Sequence, residues 1–152
     1  MLDLKYEFLC DLQADLEEPL PIGFTPHGVR MIYSVKGGTV NGPNIKGNVL
    51  PPAADWILIR PDGAGEIDVR CTIRTDDGEL IYMYYRGISD ITPEVFERIQ
   101  KGESVDPSEY YFRTTPIFET GSDKYGWLNR IIAVGVGQLM PNRVIYKIYR
   151  IL

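Results

Sequence analysis

The sequence predicts a mainly β protein: a compact, closed antiparallel β-barrel of about nine to ten strands with one short peripheral helix. Three observations favour this fold class. Apolar and polar residues alternate with period two over most of the chain. Gly, Pro, Asn and Asp separate the alternating segments, as they do between antiparallel strands. A single open sheet holds so many strands poorly, so closure into a barrel is favoured, with a two-sheet sandwich as the alternative.

The first part of the chain predicts two strands joined by a proline-rich connection. Residues 5–13 alternate as a strand. One face of this strand carries Tyr6, Phe8, Cys10 and Leu12. Residues 17–28 contain three prolines and cannot form an interior strand, so we expect a long ordered loop or a cover over one end of the fold. Strand character returns over residues 29–35.

A turn-rich corner is predicted over residues 37–43, where three glycines and a proline cluster. Two short strands follow, over residues 45–50 and 55–60. We expect Pro51-Pro52 to separate these two strands.

A long hairpin is the clearest local prediction, with strands over residues 66–75 and 79–87. Asp77-Gly78 favours a type I′ turn between them. The resulting register pairs Arg74 with Ile81, Thr72 with Met83, Arg70 with Tyr85, Ile73 with Tyr82 and Cys71 with Tyr84. One face of the hairpin is then apolar and aromatic, and the other is charged.

The one predicted helix covers residues 93–101. Thr92 suits its N-cap, Pro93 its first turn and Gly102 its end. The remaining predicted elements are strands over 110–115, 130–138 and 143–151, and a turn or single helical turn over 121–128.

Length and composition indicate one globular domain over residues 1–152. The 152 residues are 44% hydrophobic, and 16 basic against 21 acidic residues leave a net charge of -5. Lys and Arg do not cluster, so we expect no nucleic-acid partner. The amino terminus lacks the features of an export signal, and no apolar stretch is long enough to span a membrane. We therefore expect a cytoplasmic protein without a membrane partner.

Residues that would hold a metal or a nucleotide are missing. His27 is the single histidine, and Cys10 and Cys71 are the only cysteines, which favours reduced core thiols over a zinc site. The glycines do not form a phosphate-binding motif. We expect no cofactor and no metal.

Polar and aromatic residues in or beside the predicted strands are the candidates for a site inside the barrel, where a small cavity has room for one ligand. The candidate catalytic residues are Asp55, Glu119 and Tyr111. The candidate ligand-binding residues are Trp56, Arg70, Arg113, Trp127 and Asn129. An alternative stays open for Arg70: it and its charged neighbours on residues 66–74 form a solvated outer face. In that interpretation Tyr82, Tyr84, Tyr110 and Phe112 are ordinary core.

Motifs along nearly the whole chain resemble those of the domain-of-unknown-function 3237 family, a group of small bacterial and fungal proteins. The motifs are Gly-Gly-Thr (37–39), Gly-Pro (42–43), Gly-Asn-Val-Leu-Pro (47–51), Ala-Asp-Trp (54–56), Arg-Pro-Asp-Gly (60–63), Thr-Asp-Asp-Gly (75–78), Pro-Ser-Glu-Tyr-Tyr-Phe-Arg-Thr (107–114), Phe-Glu-Thr (118–120) and Trp-Leu-Asn (127–129). The resemblance implies a compact antiparallel β-barrel with a central cavity, and so favours the barrel over the sandwich. As a group the family has no established activity, so no catalytic residue carries over. It favours six of the candidates, namely Asp55, Trp56, Arg113, Glu119, Trp127 and Asn129.

This sequence departs from the usual family pattern at three places. Pro52-Ala53 stands where two glycines are common, Cys71 where a tyrosine is common, and His27 where another aromatic residue is frequent. The first change stiffens a turn beside the candidate pocket. The other two indicate that neither Cys71 nor His27 carries an activity shared by the whole group.

The functional hypothesis is a cofactor-independent barrel that binds a small, partly apolar organic metabolite, as an isomerase, cyclase or lyase. Arg70 or Arg113 would hold an anionic or polarised oxygen, Asp55 or Glu119 would exchange a proton, and Tyr111 would donate one. The tryptophans would form stacking walls. Two alternatives remain: a non-catalytic ligand carrier or sensor, and a self-associating subunit that uses the edge of the first or last strand.

Overall fold

The computed structural model describes residues 2–152 and contains ten β-strands, one α-helix and two short 3₁₀ helices. The strands are β1 (Tyr6–Leu16), β2 (Leu20–Thr25), β3 (Gly28–Asn41), β4 (Lys46–Asp55), β5 (Leu58–Ile59), β6 (Gly65–Thr75), β7 (Leu80–Asp90), β8 (Tyr111–Glu119), β9 (Ile132–Met140) and β10 (Arg143–Ile151). The helix is α1 (Pro93–Gln100), and the 3₁₀ helices are Pro107–Glu109 and Gly126–Arg130.

Eight of the strands close into an antiparallel barrel, in the order β1-β10-β9-β8-β7-β6-β4-β3, because β1 also pairs with β3. The strands β2 and β5 lie outside this ring and pair with β3. The predicted barrel is therefore confirmed, and the sandwich is wrong. The first and last strands bond to each other, so the free edge predicted there does not exist, and β2 is the strand at the open end of the sheet.

Side chains that alternate inward along the strands form the core. The charged residues of β6 alternate outward, while Ile67, Val69, Cys71 and Ile73 are buried inside. The seam between β1 and β3 depends on Gly38, since a Cβ there would lie 1.9 Å from the Gln13 carbonyl oxygen. Only a residue without a side chain allows the two backbones to approach this closely.

The strand β1 and the proline-rich segment after it differ from their predictions. A bulge between Phe8 and Cys10 lets Leu9 and Cys10 both turn inward, while Tyr6 and Phe8 are exposed. The strict alternation expected for β1 is therefore wrong at its start, because a bulge adds a residue to one strand and reverses the faces. The proline-rich segment contains the strand β2 rather than a loop alone, and its prolines are tolerated because this strand lies at an edge.

Two other predictions are also wrong: the turn-rich corner over residues 37–43, and the separation of two strands at Pro51-Pro52. Residues 37–41 belong to β3, and Pro51-Pro52, joined by a cis peptide bond, lies within β4. Irregularities between Ser34 and Gly38, and between Leu50 and Ala54, absorb the glycines and prolines without ending either strand.

The β6–β7 hairpin forms as predicted, but its register is shifted by one residue. Cys71 pairs with Met83, and Val69 pairs with Tyr85. The Thr75 amide donates to the Glu79 carbonyl, so these two residues close the hairpin and three residues, 76–78, connect them. Among these three, Gly78 alone is in the left-handed region (φ +91°). A type I′ turn would also require Asp77 there, which a side chain disfavours. Apolar residues therefore face apolar residues across the pair, and Tyr85 points inward instead of Tyr84.

The helix α1 agrees with its prediction. The Thr92 hydroxyl accepts a hydrogen bond from the Val95 amide at 3.3 Å, and Gly102 follows the helix with φ +79°. Phe96 and Gln100 of α1 line one end of the barrel interior. None of the helices in residues 2–152 has the length and apolar run needed to cross a membrane.

Candidate functional site

A cavity of about 740 Å³ occupies the barrel interior at the end where α1 lies. Its volume is in the range of sites for small organic ligands. Apolar side chains dominate its wall, among them Leu16, Val35, Ile57, Ile67, Val69 and Val144. The connection after β1, the β9–β10 turn and α1 surround its mouth.

The polar residues that line this cavity include Tyr33, Asp55, Tyr85 and Tyr146. Tyr33 pairs with Asp55 across β3 and β4, Asp55 pairs with Val69 on β6, and Val69 pairs with Tyr85 on β7. Residues paired across a sheet point to the same face. The row of pairs therefore brings Tyr33, Asp55 and Tyr85 to one level of the barrel.

The Asp55 carboxyl is the group of the cavity wall whose pKa lies near neutral pH. Its pKa is raised from 3.8 to about 7, chiefly by burial; the hydrogen bond from the Asp68 amide acts against this shift, and the nearby Asp68 charge adds to it. That amide donates to Asp55 Oδ1 at 3.1 Å. Among the described residues no protein donor reaches the other oxygen, Oδ2, so it is available to a ligand.

The tyrosines surround Asp55 and keep their protons at neutral pH. Burial raises the pKa of Tyr85, with the neighbouring Tyr146 adding to it, and burial followed by the Asp55 charge raises that of Tyr146. Burial and the Asp55 charge also raise the pKa of Tyr33. The Tyr146 ring lies 5.3 Å from the Tyr85 ring and 5.4 Å from the Phe112 ring. Phenols in this state are hydrogen-bond donors rather than bases.

Of the eight residues that the sequence suggested for the site, Asp55 alone lines the cavity. Its neighbour Trp56 points outward and is 40% exposed. The Trp56 carbonyl accepts a hydrogen bond from Arg30 at 2.7 Å. Trp56 is therefore placed away from a ligand in the barrel, as alternation along the chain requires for neighbours.

Four of the other candidates lie on the outer wall of the barrel. Arg70 lies over the Tyr84 ring at 5.5 Å, and Arg113 lies over the Tyr111 ring at 5.0 Å. Arg113 and Tyr111 line an open depression on that wall, and Glu119 is exposed at the end of β8. The solvated-face interpretation thus describes Arg70, but Tyr82 is exposed rather than core.

The last two candidates hold the segment between β8 and β9. The Asn129 side chain accepts from the Thr120 amide at 2.7 Å and donates to the Thr120 carbonyl at 2.9 Å. Trp127 packs against the core, with the Arg150 guanidinium 5.6 Å from its ring centre. Both side chains are used by contacts within the protein.

Sequence reasoning missed Tyr33, Tyr85 and Tyr146 as cavity residues. The available signal was the hairpin register: a three-residue connection would have placed Tyr85 opposite Val69, on the apolar face. For Tyr146 the signal was the apolar alternation of the last strand, which the prediction located correctly. In residues 2–152 there is no group of three His, Cys, Asp or Glu side chains placed to hold a metal ion.

Comparisons with known proteins agree on a single relationship. Residues 4–151 match the model of a family described as "Protein of unknown function (DUF3237)". A UPF0311 protein of Clostridium acetobutylicum is 39% identical over 150 residues, which covers 98% of this chain and 95% of that protein. The crystal structure of a conserved protein of unknown function from Rhodopseudomonas palustris matches with a TM-score of 0.93 and 34% identity, over 100% of both chains. A beta-barrel like protein of Acinetobacter baumannii matches with a TM-score of 0.86 and 36% identity, over 99% of this chain and 97% of that chain.

Proposed function

The chain belongs to the DUF3237 family, and on that premise we propose that its barrel binds a small, partly apolar organic molecule and that Asp55 exchanges a proton with it. The reaction class is isomerisation, cyclisation or elimination without a cofactor. The observation that carries the proposal is the position of Asp55: a carboxyl with a pKa of about 7 and one unpartnered oxygen lies inside an apolar cavity. A pKa near the working pH is the value at which an acid or base is most effective.

The neighbouring phenols supply the second half of such a reaction. Removal of a proton beside a carbonyl group places negative charge on the carbonyl oxygen, and a hydrogen-bond donor there lowers the barrier. Tyr85 and Tyr146 keep their protons at neutral pH and both line the cavity. We assign them the oxygen-holding role that the sequence had suggested for Arg70 or Arg113, whose guanidinium groups lie over tyrosines of the outer wall.

The test begins with native mass spectrometry of the protein from its own host, to identify a small molecule that is released on denaturation. Turnover and binding of that molecule are then compared for wild type, Asp55→Asn and the matched control Asp76→Asn on the exposed β6–β7 turn. We expect Asp55→Asn to lower turnover at saturating ligand by about 10² to 10⁴, while Asp76→Asn is unaffected. Full activity of Asp55→Asn would refute the catalytic role.

Two further variants test the sequence-based candidates. Glu119→Gln and Tyr111→Phe alter the outer wall of β8. If either variant loses turnover while Asp55→Asn keeps it, the chemistry takes place on the outer wall.

A non-catalytic carrier or sensor is the second candidate function. It is favoured by one observation: the phenols beside Asp55, those of Tyr33, Tyr85 and Tyr146, have raised pKa values, so none of them takes a proton from a ligand near neutral pH. The carrier predicts that the bound molecule leaves the protein chemically unchanged after prolonged incubation, and that Asp55→Asn alters only its affinity.

A further inference from the structure

We infer that the ligand of the cavity is an organic cation, a partly apolar molecule whose protonated amine pairs with Asp55. This inference rests on the proposed function and assigns the chemical class of its ligand. Three features of the cavity lead to this class: the sign of the charges around it, the open oxygen of Asp55 and the aromatic rings beside that oxygen.

The charged side chains that line the cavity are all acidic. They are Glu17, Glu18, Asp55, Asp62 and Asp90. No Lys, Arg or His of the described chain contributes to the lining. Asp62 is paired with Arg60 at 2.7 Å, so the remaining field comes chiefly from the other four. A carboxylate or phosphate ligand would meet like charge and no cation, whereas a cation would be attracted at the mouth and held inside.

Asp55 provides the point of attachment. One of its oxygens already accepts the Asp68 amide, and the other faces the cavity without a protein donor. An ammonium group has three donors and no acceptor, so it complements this oxygen. Such a charge-assisted hydrogen bond is stronger than one to a neutral donor.

Aromatic rings complete the environment that a cation prefers. Tyr33, Tyr85, Phe112 and Tyr146 all line the same cavity, and the last three lie ring against ring. The faces of such rings attract a desolvated cation. A carboxylate beside several rings therefore recognises the charged nitrogen and the apolar body of one molecule together.

Binding of a cation is linked to the protonation of Asp55. The ionisable groups near Asp55 are Tyr33 on β3, Tyr85 on β7 and Tyr146 on β10, together with Asp68 on the outer face of β6 and Glu18 near Tyr33. The three phenols keep their protons, so the charge that changes near neutral pH belongs to Asp55, whose pKa is about 7. The ionised carboxylate binds the cation, so affinity should fall about tenfold for each pH unit below about 7 and level off above it.

The experiment compares three probes with one aromatic body: 1-naphthylmethylamine, 1-naphthylmethanol and 1-naphthoic acid. Binding is measured by calorimetry at pH 6 and pH 8, with phenyl and biphenyl series in parallel so that ligand size is not decisive. At pH 8 we expect the amine to bind at least about tenfold more tightly than the alcohol, and the acid to bind most weakly of the three. Asp55→Asn should remove the preference for the amine and keep binding of the alcohol.

The outcomes separate this inference from the proposed function. Equal binding of alcohol and amine, or tightest binding of the acid, would overturn the cation assignment and leave a working cavity. Retention of the amine preference in Asp55→Asn would also overturn it. If no probe of any series binds, both the cation assignment and the ligand-binding cavity are refuted.

Discussion

Substitution of Asp55 by Asn should make the protein more stable, and increasingly so as the pH rises. Folding buries the Asp55 carboxyl and raises its pKa from 3.8 to about 7. Below pH 3.8 the folded and unfolded chains both hold the proton, so this group does not affect stability. Between pH 3.8 and 7 the unfolded chain ionises first, so the free energy of unfolding falls as pH rises, and above 7 the loss is complete.

The size of the effect follows from the difference between the two pKa values. A shift of about 3 units corresponds to about 4 kcal/mol at high pH. Asn does not titrate and still offers an oxygen to the Asp68 amide. The variant should therefore gain about 2.5 kcal/mol relative to wild type between pH 5 and pH 8.

The assay is urea unfolding of both proteins at several values of pH between 5 and 8. A control without pH dependence in this range is Asp62→Asn: its side-chain bond to Arg60 and the Ala64 amide lower the pKa of Asp62, so the ionised form favours folding. Asp62 is ionised in the folded and the unfolded chain from pH 5 to 8, so the difference in stability between this variant and wild type should stay constant over the range. A constant difference between Asp55→Asn and wild type over this range would refute the assignment of a strongly raised pKa to Asp55.

Three further predictions concern the framework. Gly38→Ala should lower stability by about 1 to 3 kcal/mol in urea unfolding, because its Cβ would overlap a backbone carbonyl of β1, whereas Gly121→Ala, with nothing near its Cβ, should be almost neutral. Thr92→Ala should lower the free energy of unfolding by about 1 kcal/mol, because it removes the N-cap of α1, and Thr92→Ser should keep the stability of wild type. Equal stability of wild type and both variants would show that this cap does not stabilise the protein. Cys10 and Cys71, whose pKa burial raises to about 12, should resist a thiol reagent until the protein unfolds, and rapid labelling of the folded protein would contradict their burial.

Alternation and turn residues were sufficient to predict the barrel, because each strand has one face inside. They were not sufficient to predict which tyrosine enters the cavity. A shift of one residue in the β6–β7 hairpin exchanges Tyr85 for Tyr84, and the shift depends on whether Asp77 or only Gly78 takes the left-handed region. Irregularities on β1 and β3 have the same effect locally, since each reverses the inward face beyond it.

Residue type alone also placed too many candidates in the site. Arg113 and Asn129 belong to motifs that mark the family, and in the structure their side chains contact the protein itself. Asp55 is different because it pairs with inward-facing Val69, which the sequence could suggest only after the irregular stretch of β4 had been placed. The chemistry of the cavity was therefore predictable in kind, a carboxylate among aromatic rings, but not residue by residue.

The closure of the barrel has a consequence for the order of folding. Its first strand hydrogen-bonds to its last, with Tyr6 opposite Ile151. A chain emerging from the ribosome can form the local β6–β7 hairpin early, but β1 must wait for β10 before both of its edges are bonded. During that interval the unpaired edge is open to other unfinished chains. We expect newly made protein to depend on chaperones at this late step far more than the completed barrel does.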